Sequence, residues 1–429
     1  MTAKRSILLV VSLSLSLGAL NAGAITVDSG TQRLIDAAED LSQAVEVSAD
    51  LSPLASAGLS HGESTGIAAV LESLLACQDL TDSVASEVRR IRAEGGSPEE
   101  ITWAESMTNC GNQVAVDLGL LSSLLDTLPP RISSMACSPV NVWPILYYER
   151  CGTDTVYLHD YILIVDVGGN DSYFNNAGGS VIDLMRGPAS PPALVAAPAR
   201  GCQTDAELNS GSGNCFLAEA ALLDKRGDDT YQRLQTPEAD SVCTTDLIVR
   251  RLATGGSGVG GVGVLRDEQG NDSYLGKTLA LGMGHAGGFG LLRDHAGVDR
   301  YSAIRSSVGA GVLVGLGILE EGSGNDLYVP YDPVGGVIDN TGVCRAGNAN
   351  LFGAGLLGAD GFLREYGGSD TYEVTGVVNT LGSGDLAGFG GFHDKSGVDV
   401  YNGATGGRGN NACFPTQNGT GAGHFCDSQ

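Results

Sequence analysis

Along the second half of the chain, apolar residues recur at every second position. Val312, Val314, Leu316 and Ile318 alternate with Leu313, Gly315, Gly317 and Leu319. A period of two predicts a strand over this stretch. One of its faces is branched and apolar, and the other is half glycine, so the bare face admits another backbone or layer. The same texture returns over 279–290 and 351–357. The first half has a helical period instead, from about Thr31 to Thr127. Ser97-Pro98-Glu99-Glu100 is a helix start, with a capping Ser, Pro in the first turn and Glu three residues after the cap. Glu94-Gly95-Gly96 ends the helix before it, which runs back to about Gly66. The pair is expected to form an antiparallel hairpin with Cys77 facing Cys110, and Pro129-Pro130 stops helical structure.

The strand half carries one phrase seven times: an acid, two variable positions, Gly, one position, Asp, one position, Tyr. The copies occupy 166–173, 224–231, 267–274, 294–301, 321–328, 365–372 and 394–401. Asp272, Asp299 and Asp326 are spaced by 27 residues each time. A fixed period of that length means stacked supersecondary units. The predicted fold is α+β: an all-β solenoid, parallel β-helix-like, preceded by a small α-helical domain. A coil is about 27 residues, about seven coils stack roughly 4.8 Å apart, and each contributes two or three short strands. Longer gaps between copies are one coil plus an excursion. Cys202, Cys215, Cys243 and Cys344 fall in those gaps, where a disulfide would hold a segment that lacks stacked neighbours. The expected organisation is a signal peptide over 1–24, a disulfide-stapled helical domain over 25–135, the solenoid over 136–405 and a disulfide-closed cap over 406–429. The helical domain is expected to cap the first coil.

Lys4 and Arg5, an apolar run from Ile7 to Leu20 and Ala22-Gly23-Ala24 make up the export signal, with cleavage expected near Ala24. The protein is therefore expected to be secreted, extracellular or periplasmic, with no transmembrane segment in its mature form. Its ten cysteines contain no CxxC, and in an exported chain they read as disulfides. Sequence order pairs Cys77–Cys110, Cys137–Cys151, Cys202–Cys215 and Cys413–Cys426, leaving Cys243 to Cys344. A net charge of −26 argues against nucleic acid as a partner and favours divalent cations. Glycine is abundant, 64 of 429, but the chain is 42% hydrophobic and the glycines are patterned, so disorder is rejected for the repeats.

The period places like residues in columns. Asp267, Asp294 and Glu321 form one, Asp272, Asp299 and Asp326 a second, and Tyr274, Tyr301 and Tyr328 a third. Two carboxylates one rung apart repel by roughly 3–4 kcal/mol at an effective dielectric near 20. A dry ladder needs protonation, turn donors or a hard cation, and calcium accepts six to eight oxygens in flexible geometry. The expected ligands are Asp171, Asp229, Asp267, Asp272, Asp294, Asp299, Glu321, Asp326, Asp370 and Asp399. The competing reading is a structural turn, in which Asp accepts nearby amides, Gly supplies positive φ and Tyr opens the next strand. In Gly270-Asn271-Asp272-Ser273-Tyr274 and Gly324-Asn325-Asp326-Leu327-Tyr328 the core G-x-D-x-U resembles the nonapeptide repeats of secreted RTX proteins. That resemblance implies an acidic, calcium-compatible turn in a parallel β-roll. No copy recurs nine residues on, so the β-roll coordination itself is not carried over.

The GxGxxG matches beginning at Gly258, Gly282 and Gly353 precede a strand and an acidic turn, so the dinucleotide reading is set aside. No HExxH or P-loop occurs. His285, His295 and His393 lack a nucleophile to pair with. Arg266 and Arg293 stand beside Asp267 and Asp294 and are expected to neutralise that column; Arg300, Arg305 and Arg364 are further candidates. The functional expectation is an exported, non-catalytic, calcium-binding repeat protein serving as an extracellular surface, adhesion or matrix component. Its expected partner is an extracellular polysaccharide or cell-surface component. The alternatives are a polysaccharide lyase or hydrolase on the same scaffold, with a cleft walled by 174–221 or 330–350, and a structural solenoid without metal.

Overall fold

The computed structural model describes residues 27–45, 47–93, 104–128, 138–181, 201–204, 213–216, 219–232, 254–278, 280–285, 287–305, 308–330, 352–373, 381–402, 409–416 and 420–428. The expected export signal, the expected turn over 94–103 with Ser97 as its cap, and Cys137, Cys243 and Cys344 lie outside them. So does most of the two excursions at 174–221 and 330–350.

Four helices come first: α1 (Ser29–Ala44), α2 (Ser52–Ser56), α3 (His61–Ala93) and α4 (Ala104–Thr127). Asp28 caps α1 by accepting the amides of Gly30 and Thr31. A reciprocal pair opens α3, the Ser60 amide donating to Glu63 and the Glu63 amide to the Ser60 hydroxyl. The Cys77–Cys110 disulfide ties α3 to α4, as expected from the hairpin.

The remainder is mostly parallel β-sheet wound in coils, and each full coil places one strand in each of three sheets. The long sheet has 11 strands among the described residues. From Leu146–Tyr148 through Phe389–Asp394 to Ala422–Asp427 they pair in parallel. An antiparallel strand closes each end, Val140–Val142 at one and Cys413–Thr416 at the other. An 8-stranded sheet carries the phrase tyrosines, and a 6-stranded sheet carries glycine pairs such as Gly258↔Gly284 and Gly284↔Gly311. Cys413 and Cys426 are bonded across the terminal hairpin. Cys202 and Cys215 stand opposite each other in a separate hairpin, and Cys151 is disulfide-bonded.

Two expectations change. The alternating run at 312–319 is not one strand. Gly311–Val312 belongs to the glycine sheet and Leu316–Glu321 to the long sheet, and the chain turns between them at Leu313 and Val314, both at positive φ. Nor do the helices stop at the first coil. α2 packs on Val140–Val142, and α3 and α4 lie along the outer face of the long sheet, where Ala221, Val264 and Leu291 share one apolar core with Leu71, Val114 and Leu118. The strands' alternation explains it, since their outward residues are apolar and need cover. The inward row, Leu222, Leu265, Leu292, Leu319, Leu363 and Phe392, is fully buried against the tyrosines.

The glycine of each phrase is a packing requirement. A Cβ on Gly227 would stand 1.6 Å from the Gly169 carbonyl oxygen, one on Gly270 1.8 Å from that of Gly227, and one on Gly297 2.0 Å from that of Gly270. The coils approach so closely at this corner that no other residue fits.

Candidate metal centre

The phrase residues stand in register, as the period predicted. Asp224, Asp267, Asp294, Glu321, Glu365 and Asp394 are direct partners across successive strands of the long sheet. Tyr231, Tyr274, Tyr301, Tyr328, Tyr372 and Tyr401 are partners in the tyrosine sheet. From Tyr157 to Tyr401 the rings stack with centroids 4.6 to 4.9 Å apart, which matches the expected rung.

Each element of the phrase does a separate job. The first acid ends its strand pointing inward, where the tyrosine hydroxyls reach it. Tyr173 donates to Asp224 at 2.6 Å, Tyr231 to Asp267 at 2.6 Å and Tyr274 to Asp294 at 2.7 Å. Tyr301 donates to Glu321, Tyr328 to Glu365 at 2.8 Å and Tyr372 to Asp394 at 3.0 Å. The second acid turns one oxygen to the backbone. Oδ1 of Asp229 accepts the amide of Asp171, and Asp272, Asp299, Asp326, Asp370 and Asp399 each accept that of the preceding aspartate, at 2.5 to 2.8 Å.

The other oxygen, Oδ2, has no hydrogen-bond partner in Asp171, Asp229, Asp272, Asp299, Asp326, Asp370 or Asp399, all at most 5% exposed. The carboxyl groups of Asp171, Asp229 and Asp399 lie within reach of the other carboxylate of the same phrase, Asp166, Asp224 and Asp394 respectively. Two facing carboxylate oxygens require something positive between them, a proton or a cation. Burial, reinforced by the charges of Asp267 and Asp294, raises Asp272 to about 11 and Asp299 to about 9. Burial likewise brings Asp229, Asp326 and Asp370 to about 7 and Asp171 to about 6. In the first column it raises Asp166 and Asp394 to about 8 and Asp294 to about 6, and pushes Asp224, Asp267, Glu321 and Glu365 well up.

The arginines do not relieve this charge. Arg266, Arg293, Glu320 and Arg364 form a row beside the acids, but strand alternation sends that row to the opposite, outer face. There Arg293 pairs with Glu320 at 2.7 Å, Arg364 with Glu320 at 2.7 Å and Arg266 with Glu268 at 2.7 Å. The expectation that Arg266 and Arg293 neutralise the acid column is corrected accordingly.

Metal geometry fits the file. One oxygen from each of Asp267, Asp272 and Asp294 lies within 4.8 Å of the others, and the same holds for Asp224, Asp229 and Asp267 and for Asp294, Asp299 and Glu321. Two further triplets extend the line, Asp166, Asp171 and Asp224 at one end and Glu321, Asp326 and Glu365 at the other. Calcium–oxygen distances of 2.3–2.6 Å put opposed ligands within about 5 Å, and each carboxylate of a triplet offers one oxygen to such a site. Asp370 and Asp399 continue the same column.

Three members escaped the sequence reading. Glu149 follows the strand Leu146–Tyr148 as Asp166 follows its partner Leu163–Val165, Tyr157 begins the ring stack and donates to Asp166, and the Thr155 amide donates to Asp171. Their phrase, Glu149–Tyr157, has one extra residue between Asp154 and the tyrosine, a signal that a looser pattern would have caught. Asp427 extends the first column at the other end and accepts the Tyr401 hydroxyl at 2.9 Å; no phrase follows it to mark it.

Of the histidines, His285 is buried in the glycine sheet, which lowers it to about 4, and burial also lowers His295 and His393. A cleft of about 390 Å³ between α4 and the first coils includes Glu63, Asp126, Arg150, Lys225 and Arg226. Its charges are engaged in packing: Lys225 donates to Ser122 and Asp126, and Glu63 accepts from Tyr148. Comparison with protein-family models, curated proteins and solved structures finds no match.

Proposed function

We propose that the chain is an exported, non-catalytic repeat scaffold whose interior carboxylate file takes calcium, one ion at each coil step, and that it serves as an extracellular surface, adhesion or matrix component. The line of partnerless Oδ2 atoms carries this reading. Each phrase brings two carboxylates inward, so one divalent ion per step neutralises the file without leaving a charge buried. The outward pairing of Arg266, Arg293 and Arg364 supports it, because it leaves the acids without an internal counter-charge. Export rests on the N-terminal signal and the cysteine usage. No helix among the described residues is long and apolar enough to cross a membrane.

The facing pairs Asp166–Asp171 and Asp224–Asp229 favour a second reading, in which protons take the place of ions and the solenoid is purely structural. Melting in excess calcium against EDTA at neutral pH separates the two. Filled sites stabilise the chain by about 3 kcal/mol or more at a hundredfold excess over their dissociation constant. An unchanged melting temperature with no calcium retained after gel filtration leaves only the proton-bridged solenoid.

A further inference from the structure

The triplets of the carboxylate file overlap. Asp224, Asp267, Asp294 and Glu321 each belong to two of the five described above, so these draw on eleven acids rather than fifteen. The shared members all come from the first column, whose residues are direct partners from strand to strand.

Each triplet also has one second-column member that it does not share. Asp272 commits Oδ1 to the Asp229 amide, and Asp299 commits its own to that of Asp272, so Oδ2 is the oxygen each has left for its triplet. That oxygen is buried and has no hydrogen-bond partner. One built site therefore repeats along the file: an open oxygen of its own, with two acids that in the interior also serve the neighbouring steps.

Sharing sets the charge balance. A single divalent ion in one triplet brings two positive charges to three acids, and one acid is left over. Two ions in adjacent triplets bring four charges to five acids, and again one is left over. Every further neighbour adds one ion and two acids. A contiguous run of any length therefore has one acid in excess, whereas two separated runs have two. An excess acid must stay ionised without a counter-charge or hold its proton in place of a ligand bond. Both are unfavourable here, where the eleven acids are at most 2% exposed. Neighbouring ions repel, and the first-column carboxylate common to both offsets that repulsion.

We propose that the file loads cooperatively: calcium fills it as one contiguous run, over a narrow range of concentration, because consecutive sites share a carboxylate. The inference rests on the calcium reading above and adds how that site is regulated. Coupling passes only between adjacent triplets, as in other one-dimensional stacks, and the chain responds to calcium as a threshold.

Equilibrium dialysis of the full chain against radioactive calcium, at neutral pH and fixed ionic strength, tests it. Independent, equal sites go from one-tenth to nine-tenths full over about an 80-fold range of calcium; the coupled file is expected to do so within about tenfold. Isosteric variants then locate the coupling. Asp294→Asn alters an acid of two triplets and is expected to lose two ions per chain, whereas Asp272→Asn alters an acid of one and loses one. Each interrupts the run, so the calcium that remains titrates over a wider range. The unmodified chain's isotherm decides the matter even where a variant fails to fold. Filling over the 80-fold range, or the loss of one ion in both variants, overturns cooperative loading and leaves the calcium reading standing. A chain that retains no calcium overturns both.

Discussion

Tyr274 gives its hydroxyl to Asp294 of the next coil, at 2.7 Å, and only grazes Asp267 of its own phrase, at 3.3 Å. The repeat is thus stitched forward: each tyrosine begins in one coil and ends its hydrogen bond in the next. Tyr274→Phe would keep the ring stack and remove the stitch, leaving two buried carboxylates short of a donor. A loss of about 1–3 kcal/mol is expected in urea unfolding, and Tyr231→Phe should cost a similar amount. Unequal losses would mean that the coils are not equivalent.

Asp272→Asn should change sign with the ion. The amide keeps an oxygen for the Asp229 N–H and removes one charge from the file. In EDTA, where burial keeps Asp272 protonated in the fold, it removes the cost of taking up that proton and stabilises the fold; in calcium it removes a ligand and destabilises it. Destabilisation in both conditions would contradict the cation file. Asp272→Ala, Asp299→Ala and Asp326→Ala in calcium should lower the melting temperature by similar amounts.

Without divalent ions, stability should fall as pH rises. The folded-state values of Asp171 (about 6), Asp229, Asp326 and Asp370 (about 7) and Asp394 (about 8) lie above the unfolded carboxylate value near 4. A raised group contributes its full stability below pH ~4 and loses it as pH climbs through the folded value, at up to about 1.4 kcal/mol per pH unit for each group titrating. Urea midpoints in EDTA should therefore decline between roughly pH 4 and 8, and calcium should flatten the decline. A midpoint that rises across that range would rule the buried acids out as the cause.

One corner invites repair. Asn271 accepts the Asp228-to-Asn271 step's continuation by receiving the Val298 amide at 3.0 Å, and Asn325 receives that of Ser369 at 2.8 Å. Val298, 57% exposed, interrupts this row because it offers no acceptor to the next coil. Val298→Asn supplies one and should stabilise the chain by about 1 kcal/mol. A melting temperature unchanged or lowered would show that the row adds nothing.

Much of this was legible from residue spacing alone, because a solenoid writes its third dimension into its period. Asp272, Asp299 and Asp326 fall into register at 27 residues, and their partners follow. The glycine alternation also marked where backbones meet. What spacing could not give was the direction of a side chain at a strand end: Arg266 and Asp267 are neighbours in sequence and face opposite ways. Nor could it place the helices, since the outer apolar row at Val264 and Leu291 signals only that something covers it. Leu313 and Val314 read as strand because their hydrophobicity concealed a turn usually made with glycine.

The bonds between successive aspartates all run the same way, each amide donating toward the C-terminal end, until Asn410 takes over from the missing next aspartate. A stack with one polarity and interchangeable steps behaves as a ruler. Removing or duplicating one unit of 27 residues, such as that from Ser273 to Asp299, would shorten or lengthen the stack by one graduation while leaving the aspartate-to-aspartate joints on either side as they were. Reach is therefore a property this architecture can change without redesigning its interior.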